Sequence, residues 1–234
     1  MALVNEPKLL MIDELSLGLA PTIVGDLIEV VHDINRMGVT IIVVEQSINV
    51  ALTLARRAVF MEKGEFRFTG PTSALLERPD ILRSVFIAGS SVDDADGGDV
   101  PAAAAATTPT EAPREAPGPD APAVLRCAGV VKRFGGINAI DGIDLHLREG
   151  EVLGLIGQNG AGKTTLFDCI SGYHRVDGGR IELHGTDVTP WEPHERALYQ
   201  LGRSFQEAML YPTLTVRETI ATALERHLDN RDIV

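Results

Sequence analysis

The sequence is poor in cysteine, in basic charge and in long apolar runs, and each shortage closes off a class of protein. Its two cysteines among 234 residues, Cys127 and Cys169, lie far apart and in no ligand or redox spacing. A disulfide scaffold is therefore excluded, and both read as reduced core thiols of a cytosolic protein. The six histidines form no i, i+4 pair beside a carboxylate, so no metal-ligand cluster is expected from them. Apolar runs such as residues 39–44 fall far short of the roughly 20 residues that a membrane helix needs. The first residues also lack the basic-then-apolar order of a signal peptide. The expectation is a soluble chain with no direct membrane insertion, whose membrane connection goes through a partner.

Basic charge is scarce and evenly spread. The formal net charge is −12, with −3 on residues 1–89, −6 on residues 90–122 and −3 on residues 123–234. No segment is basic enough to hold a nucleic-acid backbone, so no nucleic acid is expected as partner.

What the sequence does have is apolar content, 44% of all residues, which is enough for a sizeable core. Composition breaks sharply near Ser90. From there to Pro122 the chain is Ala, Pro, Thr and acid, with no apolar periodicity to offset its ordering entropy. This stretch reads as a disordered acidic Ala/Pro-rich linker, about 30 Å in root-mean-square span if flexible.

Before the linker, residues 8–12 (KLLMI) form an apolar run ending in Asp13 and Glu14, as in a strand buried on both faces of a parallel sheet. Pro21 opens a helix with Val24, Leu27, Ile28, Val31 and Ile34 at helical spacing, and Gly38 ends it. Residues 39–44 are a second buried strand, and Ser47 is placed to cap the helix that follows. A hairpin around Lys63-Gly64 and two short helices complete this piece by Gly89. After the linker, residues 124–134, 139–147, 151–156 and 179–184 read as strands, and residues 163–171, 192–201 and 216–228 as helices. Alternating strands and helices indicate an α/β sheet.

Residues 157–164 (GQNGAGKT) match G-x-x-x-x-G-K-[ST] between a strand and a helix. Gly157, Gly160 and Gly162 let the backbone curl so that successive N–H groups, with Asn159 and Ala161, face phosphate oxygens. The helix start adds its positive dipole end. Lys163 is suited to the β- and γ-phosphates, and the Thr164 hydroxyl to one position on Mg²⁺. At the end of the first strand, Asp13 can bind Mg²⁺ through its water shell and Glu14 can polarise an attacking water. On its own that acidic pair is a common strand ending.

The residues around these motifs resemble the ABC-transporter ATPases. Residues 1–89, with KLLMIDELSLGLAP and then IIVVEQS, resemble the C-terminal part of such a domain (Walker B, D-loop and switch region). Residues 123–234, with KRFGGINAIDGIDLHLREGEVLGLIGQNGAGKTTLFDCISG and then SFQEAMLYPTLTVRETI, resemble the N-terminal part of a second (A-loop, Walker A and Q-loop). More narrowly, the pieces are similar to the two different ATPase subunits of branched-chain amino-acid importers.

The resemblance implies a P-loop NTPase fold, with a RecA-like core, an ABC-type antiparallel β-subdomain and an incomplete helical subdomain. It implies ATP and Mg²⁺ as cofactors. Phe134 stands where the family stacks an aromatic on adenine, and Thr165 completes the Walker A segment. Gln206 stands at the Q-loop, which in the family contacts Mg²⁺ and the attacking water. Gln46 replaces the more usual switch histidine, Ala20 the D-loop aspartate, and Leu15 the proline after the catalytic glutamate. The implied activity is ATP hydrolysis driving uptake of a branched-chain amino acid or a related small solute. Its partners would be transmembrane permease subunits, which would hold the chain at the inner face of the cell membrane.

Family members hydrolyse ATP between two domains, the phosphate loop of one facing an LSGGQ-like signature of the other. Neither piece contains a signature, so a second ATPase domain is expected to supply it. Walker B also precedes Walker A. Two arrangements fit that order: the middle of a longer fusion of two ATPase domains, and a permuted core assembled from both pieces. The fusion is the favoured expectation, because surfaces drawn from different subunits have no evident reason to match. The competing functional reading is a nucleotide-binding module without independent ATPase activity. A GTPase is disfavoured by the lack of an N-K-x-D segment.

Overall fold

The computed structural model describes residue 3 and residues 6–78, 80–81, 118, 121–204 and 213–224. Most of the acidic stretch 90–122, all of residues 225–228 and Gln206 lie outside them.

The first piece builds β1 (Leu9–Asp13), α1 (Pro21–Arg36), β2 (Thr40–Glu45), α2 (Ile48–Leu54), β3 (Arg57–Glu62), β4 (Glu65–Pro71) and α3 (Thr72–Leu76). The second builds β5 (Ala123–Phe134), β6 (Ile137–Arg148), β7 (Val152–Gly157), α4 (Lys163–Ser171), β8 (Gly178–Leu183), β9 (Thr186–Asp187), α5 (Pro193–Leu198), β10 (Leu201–Arg203) and α6 (Val216–Leu224). Ser47 caps α2 by accepting from the Val50 N–H, and Gly38, at φ +98°, turns the chain out of α1.

The strands of the two pieces interleave. One sheet runs β10-β1-β2-β7-β3-β4, parallel except for the β3–β4 hairpin, and β7 lies between β2 and β3. The second sheet, β6-β5-β8-β9, is antiparallel and comes wholly from the second piece. The fold is therefore the expected α/β one, a P-loop core sheet with an antiparallel β-subdomain. The two pieces share one sheet, the arrangement that a permuted core requires.

Alternation along the strands explains why they fit. Leu10, Ile12, Ile41 and Val43 face α1, where Val31 and Ile34 cover them and Val152 of β7 joins the same cluster. Leu9, Met11, Ile42 and Val44 face the other way, toward Leu166, Phe167 and Ile170 of α4 and the β5–β8 layer. Both faces of the central strands are thus buried, as their unbroken apolar runs require. Polar contacts seal the same joint: Asn35 Nδ2 donates to Gly150 O at 2.9 Å, and the Gly150 N–H donates to Thr40 Oγ1 at 2.9 Å. Arg57 pairs with the buried Glu151.

Two local expectations are corrected. The helix expected over residues 192–201 stops at Leu198, after a capping box between Glu192 and Glu195. Leu201–Arg203 is instead an edge strand parallel to β1, with Leu9 opposite Leu201.

Candidate functional site

The site is built where β7 runs out of the sheet. The main chain crowds there: a Cβ on Gly157 would fall on the Met61 carbonyl oxygen. Gly162, at φ +106°, would place one 2.5 Å from Ala139 O. Only glycine fits either position. Gly160 is also left-handed, at φ +78°. The loop these residues form leads directly into α4, whose first N–H groups lack intrahelical acceptors and therefore favour an anion.

Lys163 is 4% exposed, and its Nζ donates to Gly157 O at 2.6 Å and Gln158 O at 2.9 Å. Burial draws its pKa down, and the carboxylates of Glu14, Asp13 and Glu45 oppose that shift. A lysine of the second piece thus shares its field with three acids of the first.

Asp13 ends β1 at 5% exposure. Burial raises its pKa, opposed mainly by Arg203, whose Nη2 stands 3.8 Å from Asp13 Oδ2. Asp13 Oδ1 is buried with no hydrogen-bond partner among the described residues. Arg203 in turn reaches α4, with Nη1 2.7 Å from Asp168 Oδ1 and donating to Ser171 Oγ at 2.7 Å. Glu14 follows at φ +51°, a strained conformation for a residue with a Cβ. Its Oε1 accepts from Gln46 Nε2 at 2.6 Å. Glu45, beside Gln46, is 1% exposed and accepts from both the N–H and the hydroxyl of Ser16. That holds the turn after Glu14 in place.

Of these residues, Glu14, Gly160, Gly162 and Lys163 border a cleft of about 360 Å³. Glu14, Lys63 and Gly64 of the first piece line it together with Asn138, Asn159 and Thr164 of the second. The turn between β3 and β4 joins the glycine loop to β6: the Gly64 N–H donates to Ala161 O and Gly64 O accepts from the Asp141 N–H, each at 2.9 Å.

Of the residues expected from the sequence, Glu14, Asn159, Gly160, Gly162, Lys163, Thr164 and Thr165 line the cleft. Asp13 and Gln46 stand behind it, and Gly157 and Ala161 shape the loop. Phe134 is not among the lining residues; its ring, 44% exposed, meets His174 edge-on at 5.2 Å between centroids. Arg203, Glu45 and Lys63 were not expected. Arg203 directly precedes the SFQ run, but its partners are distant in sequence, and Lys63 reads from the sequence only as part of a hairpin.

Residues 140–233 match the ABC transporter family. That match takes in about two fifths of the chain, and over it the chain is similar to that family. Among curated relatives, the high-affinity branched-chain amino acid transport ATP-binding protein BraF of Pseudomonas aeruginosa is 38% identical over 106 residues, covering 45% of this chain and 42% of BraF. The ribose import ATP-binding protein RbsA 1 of Streptomyces avermitilis is 43% identical over 97 residues, covering 42% of this chain and 19% of RbsA 1. The chain thus matches about two fifths of BraF's length and about one fifth of that of RbsA 1. A crystal structure of a nucleotide-free ATP-binding cassette from an ABC transporter is 30% identical, covers 43% of this chain and 46% of that one, and superposes with a TM-score of 0.36. In this ABC transporter segment lie the whole glycine loop and α4; Asp13, Glu14 and Gln46 lie outside it. Among the described residues no helix is long and apolar enough to cross a membrane.

Proposed function

We propose that the cleft binds ATP with Mg²⁺ and that the chain is an ATP-hydrolysing part of an ABC importer. One observation carries this: Lys163, at an amide-lined loop, shares one site with Asp13 and Glu14 of the other piece. Bound phosphates would take the Lys163 ammonium from the Gly157 and Gln158 carbonyls and would face the first N–H groups of α4. Glu14, oriented by Gln46, would accept the proton of the attacking water. Catalysis would rest on positioning and charge stabilisation.

Mg²⁺ fits the residues present. Asp13 Oδ1 is buried without a hydrogen-bond partner among the described residues, and the Thr164 hydroxyl is exposed at the start of α4. One carboxylate with a hydroxyl and nucleotide phosphates is a usual Mg²⁺ donor set, whereas groups of three or more His, Cys, Asp or Glu placed for a metal are absent among the described residues. When bound, the ion neutralises charge on the phosphate oxygens.

The reading extends to partners by similarity. BraF is named for branched-chain amino acid transport and RbsA 1 for ribose import, and of these the flanking motifs favour a branched-chain amino acid or related small solute. Transmembrane permease subunits would hold the chain at the inner membrane face. A second ATPase domain would supply the signature, and Gln206 would contact Mg²⁺ and water.

The test is the melting temperature of the full chain with and without Mg-ATP, with Lys163→Ala as control. Nucleotide at 100 times Kd should stabilise the unmutated chain by about 2.7 kcal/mol and the variant far less. An equal shift in both, or none in either, would overturn the reading. If binding is seen but no assembly with a second ATPase domain hydrolyses ATP, the chain is a binding module.

A further inference from the structure

The β3–β4 turn contains a lysine where the backbone disfavours one. Glu62 pairs with Glu65, leaving a two-residue loop of Lys63 at φ +50° and Gly64 at φ +82°. Two left-handed residues in succession make a type I′ turn, whose first position favours Asn, Asp or Gly. A lysine there carries a conformational cost, roughly 1 kcal/mol, that the turn itself does not require.

The turn is also fixed in space. Its two Gly64 hydrogen bonds clamp it to the phosphate loop at Ala161 and to β6 at Asp141. A Cβ on Gly64 would lie 2.9 Å from Ala139 O, so the contact leaves no slack. Lys63 is exposed and lines the cleft that also holds Lys163. The nearest carboxylates in sequence are already engaged: Arg67 Nε lies 3.5 Å from Glu62 Oε2 and its Nη1 3.0 Å from Glu65 Oε2. Lys63 itself makes no ion pair among the described residues. A cation on a clamped turn, bordering a cleft and with no ion-pair partner among the described residues, is placed to meet an anionic ligand.

We infer that Lys63 is a second phosphate-binding cation of the nucleotide site, supplied by the first piece from the turn that is hydrogen-bonded to the glycine loop of the second. The inference rests on the nucleotide reading above and adds a residue to it. Lys163 is buried with its ammonium on main-chain carbonyls, whereas Lys63 is an exposed residue of the cleft lining. The two cations therefore approach the polyphosphate from different elements and from both pieces of the chain. Binding then requires the pieces to be assembled, because neither holds both.

The experiment is calorimetric titration of the full chain with Mg-ATP, comparing unmutated protein, Lys63→Asn, Lys63→Arg and Lys163→Ala. Asparagine suits the left-handed position, so Lys63→Asn removes the charge while leaving the turn intact, and its melting temperature without nucleotide should not fall. The expected result is a Kd raised about five- to twentyfold in Lys63→Asn, as for loss of one charge-assisted contact, and largely restored in Lys63→Arg. An unchanged Kd in Lys63→Asn, with binding lost in Lys163→Ala, would overturn the inference and leave the nucleotide reading standing. Equal weakening in Asn and Arg variants would overturn it too, because charge would not be the cause. If the unmutated chain binds no Mg-ATP, the nucleotide reading falls and this inference with it.

Discussion

The side-chain amide of Gln46 donates to Glu14 Oε1 at 2.6 Å, joining the end of β2 to the end of β1. The contact fixes a carboxylate that stands on a strained turn at φ +51°. On the proposed reading Glu14 accepts a proton, a task that requires its orientation before the reaction, and the Gln46 amide supplies it. In any assembly that turns over ATP, Glu14→Gln should lower the rate about 10²- to 10⁴-fold. Affinity for Mg-ATP should stay within about twofold. Phosphate release and calorimetry measure the two separately, and a parallel loss of both would assign Glu14 to binding instead.

The three glycines of the loop should differ in what they tolerate. Gly160, at φ +78°, has nothing within 4 Å of a would-be Cβ, so Gly160→Ala carries only the left-handed penalty, about 1–2 kcal/mol. Gly157→Ala meets the Met61 carbonyl and should cost about 3 kcal/mol. Gly162→Ala incurs both penalties, at φ +106° and against Ala139 O, and should be the worst. Urea unfolding of the three variants gives the order; equal losses would show that the loop relaxes freely.

Asn35 should matter more than its polarity suggests. It is 3% exposed, and its Nδ2 donates at 2.9 Å to both Val39 O and Gly150 O, linking the two pieces behind the sheet. Asn35→Ala leaves two carbonyls short of a donor and should cost about 2 kcal/mol. The Arg175–Glu192 pair, with side chains 82% and 50% exposed, is the contrast. Arg175→Ala should cost under about 0.5 kcal/mol in the same denaturation series.

Stability should fall on mild acidification. His32 is 7% exposed, its Nε2 has no hydrogen-bond partner among the described residues, and burial holds its pKa below the usual 6.5. His146 and His184 are displaced the same way, also by burial, although both are more exposed. A depressed histidine pKa means the unfolded chain takes the proton first. The contribution is then complete above 6.5 and is lost as pH drops from there toward the folded value. The urea midpoint should hold between about pH 8 and 7 and decline toward about pH 5.5. A shallower decline is expected in His32→Leu; an identical one would remove His32 from the account.

Local signals carried much of this structure into the sequence. The strand of β7, the glycine loop and α4 form one continuous pattern, and α4 spans the expected residues. The hairpin at Lys63-Gly64 and the Ser47 cap were legible for the same reason, since turn and cap chemistry act over a few residues. The short strand β10 was not. Its three residues, Leu201, Gly202 and Arg203, have no period of their own and become a strand only by pairing with β1. Arg203 illustrates the same limit within the site, since Asp13 and Asp168 reach it from distant parts of the chain. The sharing of one sheet by the two pieces was not legible either, because it rests on long-range packing between apolar faces of matching alternation.

The place of β7 between β2 and β3 has a consequence for biosynthesis. The ribosome delivers β2 and β3 well before β7, about 5–20 s earlier at ordinary elongation rates. During that interval the nascent chain has a gap one strand wide, bounded by two rows of unmet N–H and C=O groups. Pairing β2 directly with β3 would close the gap wrongly, and the later strand would then have to pry them apart. Such a chain should lean on chaperones that hold open strand edges, and its yield should rise when translation between residues 62 and 152 is fast.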